Sequence, residues 1–141
     1  MGERVSIDIP STIGAFATSF DLKDWPGLEA VLSDEIEVDY SDLRGEKGRV
    51  ARSAYIAKRR AALELLETHH LLANLELEAG PDSASCRASG VIYRRKAGEF
   101  FHSHVVYLFG LRRDASGWRI HSITQRVLWN EGNPALHSGA R

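Results

Sequence analysis

A single cysteine, Cys86, stands in a chain of 141 residues. One thiol closes no internal bridge, so a disulfide scaffold is excluded. Charge of one sign is lacking too: 18 basic residues face 19 acidic ones, for a net charge of −1. A nucleic-acid binder carries a basic excess, so no nucleic-acid partner is expected. No apolar run is long enough to cross a bilayer, and no membrane partner is expected. The start of the chain has no signal-peptide pattern, because Asp8 and Pro10 interrupt its short apolar stretch. A cytoplasmic protein is the corresponding expectation. Repeats, low-complexity tracts and linkers are missing as well. What is present is 43% apolar and 26% charged sequence, the balance of a folded domain. The expectation is one domain over 1–141, with an ordered core of about 11–130. Met1 to Pro10 and Asn133 to Arg141 are expected to be loose tails, the second opening at a Gly-Asn-Pro break.

Ser11 is placed to cap a helix whose Ile13, Phe16, Ala17 and Phe20 share one face. Asp24 is placed to cap a second, short helix with Pro26 early in it and Leu28, Val31 and Leu32 facing inward. Ile36, Val38 and Tyr40 then alternate with Glu37 and Asp39, the pattern of a half-buried strand. The charged, glycine-containing Asp42 to Gly48 reads as a loop. A longer helix is expected from about Arg49 to Leu66, with Val50, Ala54, Ala57 and Ala61 as its apolar stripe. Four extended segments follow: Thr68 to Ala79, Ser83 to Arg95, Glu99 to Arg113 and Trp118 to Trp129. Turn-like breaks at Gly80-Pro81-Asp82, Lys96-Ala97-Gly98 and Asp114 to Gly117 separate them. Such short turns permit only an antiparallel meander. Helices first and long strands afterwards make an α+β domain. A long twisted sheet curled over a few helices leaves a deep apolar pocket at one end.

Three acid–base candidates fall at element ends. Asp21 closes the first helix, Tyr40 closes the short strand, and His70 opens the first long strand. A carboxylate beside an imidazole fixes the ring's tautomer and stabilises its protonated form, so the other nitrogen can move a proton. A phenol nearby can donate to a developing enolate oxygen. Spacing alone leaves open whether the three meet. The plain readings are a helix-end cap, a satisfied core histidine and a core-edge aromatic. Alternation puts Val105 and Tyr107 on one face of the third long strand, with His102 and His104 on the other. Ile123, Gln125, Val127 and Trp129 share a face of the last.

Ser-Phe-Asp-Leu-Lys-Asp-Trp at 19–25, Val-Asp-Tyr at 38–40, Thr-His-His at 68–70 and Gly-Trp-Arg-Ile at 117–120 resemble scytalone dehydratase. That family lies within the nuclear-transport-factor-2-like superfamily, also termed cystatin-like or polyketide-cyclase-like. The resemblance runs from about Ser11 to Trp129. It implies a cone-shaped barrel: a curved, mostly antiparallel sheet wrapped around N-terminal helices, with an internal pocket. Asp21 matches the carboxylate that orients the catalytic histidine. His70 matches that histidine, general base and then general acid. Tyr40 matches one of two tyrosines that hold a water against the substrate carbonyl, and Trp129 falls at a tryptophan of the pocket's C-terminal wall. The implied reaction is loss of water from a β-hydroxy ketone through an enolate, with no metal or organic cofactor.

The departures from the pattern are specific. Phe20 stands where the second tyrosine belongs. Val105 and Tyr107 stand where the family has a serine and an asparagine. A second family histidine has no match near Tyr93 or Arg94. The proton-transfer pair is kept and the substrate-polarising groups are changed, which implies a relative with a different substrate. The same Asp–His arrangement recurs in the superfamily among bile-acid dehydratases and dehydrochlorinases.

Other motifs carry less. His102-x-His104 lacks a third ligand at convincing spacing, so no metal is expected and an outer face or subunit interface is the better reading. His69 points away from His70. Arg94-Arg95-Lys96 reads as solvated at a turn. Gly45-x-x-Gly48 lacks the lysine-serine ending of a phosphate loop. Cys86 lacks an activating partner.

The expected function is that of a cofactor-independent hydro-lyase acting on an aromatic or alicyclic β-hydroxy carbonyl compound. Asp21, His70 and Tyr40 would carry catalysis, with Tyr107 assisting at the carbonyl. Phe16, Phe20, Val105, Val127 and Trp129 would form the apolar walls, joined at the pocket by Tyr55 and Gln125. The alternatives are an isomerase or cyclase on the same fold, and a non-catalytic binding or assembly module. A small-molecule substrate and a homo-oligomer, dimer or trimer, are the expected partners.

Overall fold

A computed structural model of the chain describes residues 8–136. The chain opens with α1 (Ile9–Leu22) and α2 (Trp25–Val31), followed by β1 (Leu32–Tyr40), β2 (Glu46–Ala51) and α3 (Arg52–Leu63). Four long strands complete the domain: β3 (Glu67–Ala79), β4 (Ser83–Lys96), β5 (Glu99–Asp114) and β6 (Gly117–Gly132). A single 3₁₀ turn, Pro134–Leu136, ends the described chain.

The expected α+β order is present, with several boundaries corrected. The first helix is capped by Asp8, whose carboxylate accepts from the Ser11 backbone N–H; Ser11 itself lies inside the helix. Ile9 and Pro10 are therefore helical, since a proline in the first turn loses no hydrogen bond. Of the second expected tail, Asn133 to Leu136 are described, the last three as the 3₁₀ turn, and the rest of both tails, Asp8 to Pro10 aside, lies outside the described residues. Asp24 caps α2 as expected, accepting from the Gly27 N–H at 3.0 Å. The last three residues of the expected loop after β1 and the first three of the expected long helix form β2, an edge strand. The long helix is shorter than expected, and its stripe was misassigned. Ala54, Ala57 and Ala61 face solvent, while Tyr55, Arg59 and Leu63 are buried at i, i+4, i+8 spacing.

The six strands form one sheet in the order β2-β1-β6-β5-β4-β3. Every pair is antiparallel except β1 with β6, which run parallel. Among the described residues no ladder joins the edges β2 and β3, so the sheet is an open, cone-like wrap rather than a closed barrel. Its inner face meets Ile13, Phe16 and Phe20 of α1 and Leu28 of α2, in a single core that includes Ile36, Val38, Phe109, Leu111, Ile120 and Ile123. Fully burying each such side chain contributes roughly 1.5–3 kcal/mol. No helix of the described residues is long and apolar enough to cross a membrane.

Candidate active site

The α1–α2 corner fixes the first site residue. Lys23 takes the left-handed conformation (φ 55°) and ends α1, leaving Asp21 in its last turn. That turn lies against the start of β3. There the Asp21 carboxylate accepts three hydrogen bonds. His70 Nδ1 lies 2.7 Å from Oδ1, the His70 backbone N–H donates to Oδ2 at 2.8 Å, and Thr68 Oγ1 donates to Oδ1 at 3.1 Å. Three bonds from one strand end lock both the carboxylate and the ring. With Nδ1 held by Asp21, Nε2 is the nitrogen left for chemistry. Phe20 stacks on the imidazole, 5.3 Å between ring centres.

His70 borders a small enclosed cavity lined by Phe20, Tyr40, Arg44, Arg59, Leu63, His70, Ile92, Arg94 and Tyr107. Its free volume is about 20 Å³, room for about one water-sized group. Burial pushes the imidazole below its ordinary value of 6.5. The Asp21 bond opposes that shift, while the nearby Arg94 and Arg44 charges reinforce it. The ring is therefore neutral at pH 7, the form that can accept a proton.

Two phenols share the cavity. The Tyr40 and Tyr55 hydroxyls are hydrogen-bonded at 2.8 Å. Gln125 Nε2 donates to the Tyr107 hydroxyl at 3.0 Å. Burial raises the pKa of all three tyrosines, so each keeps its proton and remains a donor. Tyr55 and Gln125 thus stand behind Tyr40 and Tyr107 rather than on the cavity surface.

Three guanidiniums were not expected here. Arg44 lies over the Tyr40 ring at 4.4 Å, on the turn after β1. Arg59 projects from the buried face of α3 and bonds Glu46 at 3.0 Å. Arg94, read from sequence as solvated, is 2% exposed. It donates to Ser103 Oγ at 2.9 Å, and desolvation lowers its pKa to about 10. The sequence held the signal: Arg94 shares strand parity with the inward-facing Cys86, Ala88 and Ile92. The expected deep apolar pocket is instead a tight, largely polar one.

The remaining expected wall residues divide. Phe20 lines the cavity. Phe16 sits one layer deeper, edge-on to Phe20 at 4.9 Å and to Phe109 at 5.4 Å. Val105 is buried beneath Gly90, and Val127 is half-buried at the edge of the core. Trp129 is a correction. His104 pairs with Trp129 but Val105 pairs with Val127, so Leu128 is an extra residue in β6. That bulge reverses the alternation and turns Trp129 outward. It is 54% exposed and stacks on His104 at 4.2 Å. His104 also bonds Glu131 at 3.0 Å, and His102 packs against Tyr93 and Phe100. Cys86 is buried and free, and burial pushes its thiol pKa up.

A Kribbella flavida protein of known structure is 25% identical, covering 92% of this chain and 93% of its own, with a TM-score of 0.86. Two Novosphingobium aromaticivorans proteins share the fold. One, proposed to be an aromatic ring hydroxylase, is 21% identical over 90% of this chain and 92% of its own (TM-score 0.81). The other, proposed to be a scytalone dehydratase, is 16% identical over 88% and 84% (TM-score 0.77). Hexachlorocyclohexane dehydrochlorinases, 15% and 12% identical, have the same fold. No curated protein matches. The fold is thus that of the nuclear-transport-factor-2-like superfamily, and neighbours of such different proposed activity show the fold alone. Residues 8–124 match the SnoaL-like domain, and the chain belongs to that family.

Proposed function

We propose that the protein is a cofactor-independent hydro-lyase that removes water from a small β-hydroxy carbonyl compound through an enolate. The reading rests on one observation: His70 borders the cavity and is held through Nδ1 by Asp21 at 2.7 Å, while desolvation favours its neutral form. His70 Nε2 takes the proton α to the carbonyl. The electron pair moves onto the carbonyl oxygen, where the Tyr40 and Tyr107 hydroxyls donate to it. Asp21 stabilises the imidazolium that forms. The enolate then re-forms the carbonyl as the β C–O bond breaks, and imidazolium delivers its proton to the departing hydroxyl. One water leaves and the base is regenerated. The enclosed space is small, so only the reacting end of the substrate enters it. Arg94 also borders a wider cleft of about 300 Å³, but that cleft is lined by Tyr93, Arg95 and His102 and opens toward the outer face of the sheet.

The test is His70→Gln with a panel of β-hydroxy carbonyl compounds, read by product mass. Turnover should fall by about 10²–10⁴-fold, the usual contribution of a positioned acid–base group, with the thermal midpoint held. A variant as fast as the parent removes His70 from the mechanism. A product of unchanged mass replaces elimination with isomerisation. The parent's kcat/KM should lose activity on the acid side with a midpoint below 6.5, because protonation of His70 removes the base. Stability carries the same sign. The unfolded imidazole binds a proton at higher pH than the folded one, so this contribution is intact above 6.5 and lost as pH falls through the lowered folded value.

A further inference from the structure

Burying a guanidinium is costly unless something meets its charge and its N–H groups. Two arginines of the cavity are conspicuous in this respect. Arg59 is 2% exposed, and only its Nη2 has a carboxylate partner, Glu46, which is itself shared with Lys58. Its Nε and Nη1 are buried without any hydrogen bond. Arg94 is equally buried, and its bonds are to neutral oxygens, Ser103 Oγ and the Phe101 carbonyl. Ring contacts do not settle these groups. Arg59 lies 5.4 Å and 5.3 Å from the centres of Tyr40 and Tyr55, which satisfies a cation's face but not its N–H edges. Asp21, the carboxylate beside His70, is committed to His70 and Thr68.

These charges converge on the space that His70 borders. Arg59 and Arg94 both line it, together with Arg44. A pocket for a neutral ketone needs phenols or amides, and Tyr40 and Tyr107 already supply them. Buried guanidiniums with donors to spare are the chemistry that recognises an oxyanion, because their planar N–H edges match two oxygens at once.

We infer that the cavity binds an anionic group of the substrate, a carboxylate, on the Arg59 and Arg94 guanidiniums, so that the substrate is a β-hydroxy carbonyl compound that carries a carboxylate rather than a neutral one. The inference deepens the hydro-lyase reading and shares its site. The carboxylate neutralises the buried cations and supplies the missing acceptors. Its seat is the cavity beside His70, which must widen beyond the one water-sized group it now admits to take the carboxylate.

The test reads binding, not turnover. The intact protein is titrated with acetate and, separately, with acetamide at constant ionic strength, following the thermal midpoint and the heat of binding. Acetate should bind saturably and raise the midpoint, and acetamide, the neutral molecule of the same shape, should not. Arg94→Met and Arg59→Met should each weaken acetate by about tenfold or more, the scale of one lost charge-assisted bond. His70→Gln should keep acetate binding. Equal effects of acetate and acetamide overturn the inference, and so does absence of any saturable acetate effect on the parent protein. Both of these outcomes need only the parent chain, so a variant that fails to fold does not blunt the test. Acetate binding without turnover of any β-hydroxy carbonyl compound would leave the anion site standing and remove the hydro-lyase reading. Turnover of neutral ketones with no acetate binding would do the reverse.

Discussion

The inner face of the sheet has two ends built from different materials. At one, Phe109 pairs with Ile123 and Leu111 with Ile120 across β5 and β6, closed by Phe16, Leu28 and Leu32, all apolar and all essentially inaccessible. At the other, the same strands and β3, β4 and β1 present His70, Arg94, Ser103, Tyr107, Gln125 and Tyr40, with Arg59 and Tyr55 arriving from α3. The first end is what an amphipathic sheet packed on amphipathic helices produces. The second is expensive: leaving a buried donor such as Arg59 Nε unmet costs about 1–3 kcal/mol. A fold keeps such an end where chemistry needs it, and rests its stability on the other. The contrast teaches that stability and function are spatially separated here, so single substitutions should dissociate them.

The largest dissociation is expected from Asp21→Asn. The amide keeps the shape but cannot stabilise the imidazolium, and it can present the wrong partner to Nδ1. By the scale known for carboxylate–histidine pairs, kcat should fall by about 10²–10⁴-fold. The thermal midpoint should move far less. Steady-state kinetics alongside a melting curve checks both. A loss of midpoint that matches the loss of rate would make Asp21 a structural cap rather than a positioning group.

Ile123→Ala should act in the opposite sense. The side chain is fully buried at the apolar end, and its truncation should cost about 2–5 kcal/mol of unfolding free energy. Below the new midpoint, kcat/KM should stay near the parent's. Chemical denaturation measures the first, and an assay well below the melting range the second. A large fall in kcat/KM of the folded variant would mean that the two ends are coupled through β6.

Much of this division was legible in the sequence. Three short turns mark out β3 to β6, and three short motifs, through their resemblance to scytalone dehydratase, single out Asp21, Tyr40 and His70. The misses have separate physical causes. β2 carries Lys47 and Arg49 because edge strands are protected by charge, and charge reads as loop. The buried face of α3 was hidden because Arg59 occupies a core position that only Glu46 and two tyrosine rings make tolerable. Trp129 was put inside because strict alternation does not foresee the extra residue at Leu128. Arg94 was read with its neighbours Arg95 and Lys96, although strand parity separates it from Arg95.

The smallest expected effect tests how finely the polar end is tuned. Tyr40 borders the cavity and Tyr55 does not, yet their hydroxyls are bonded at 2.8 Å. Two hydroxyls in one bond use one proton between them. If Tyr55 donates, the Tyr40 proton is free to meet a substrate oxygen, and Tyr55 is a positioning residue. Tyr55→Phe then leaves Tyr40 unanchored, at the cost of one hydrogen bond, about 1 kcal/mol. That converts to a fall in kcat of about fivefold, with KM little changed, because the donor matters most once charge has developed on the enolate oxygen. Tyr40→Phe removes the donor itself and should cost more. The order is the informative quantity. If Tyr55→Phe were the slower variant, the free proton would belong to Tyr55, and the hydroxyl that meets the substrate would reach it from α3 rather than from β1.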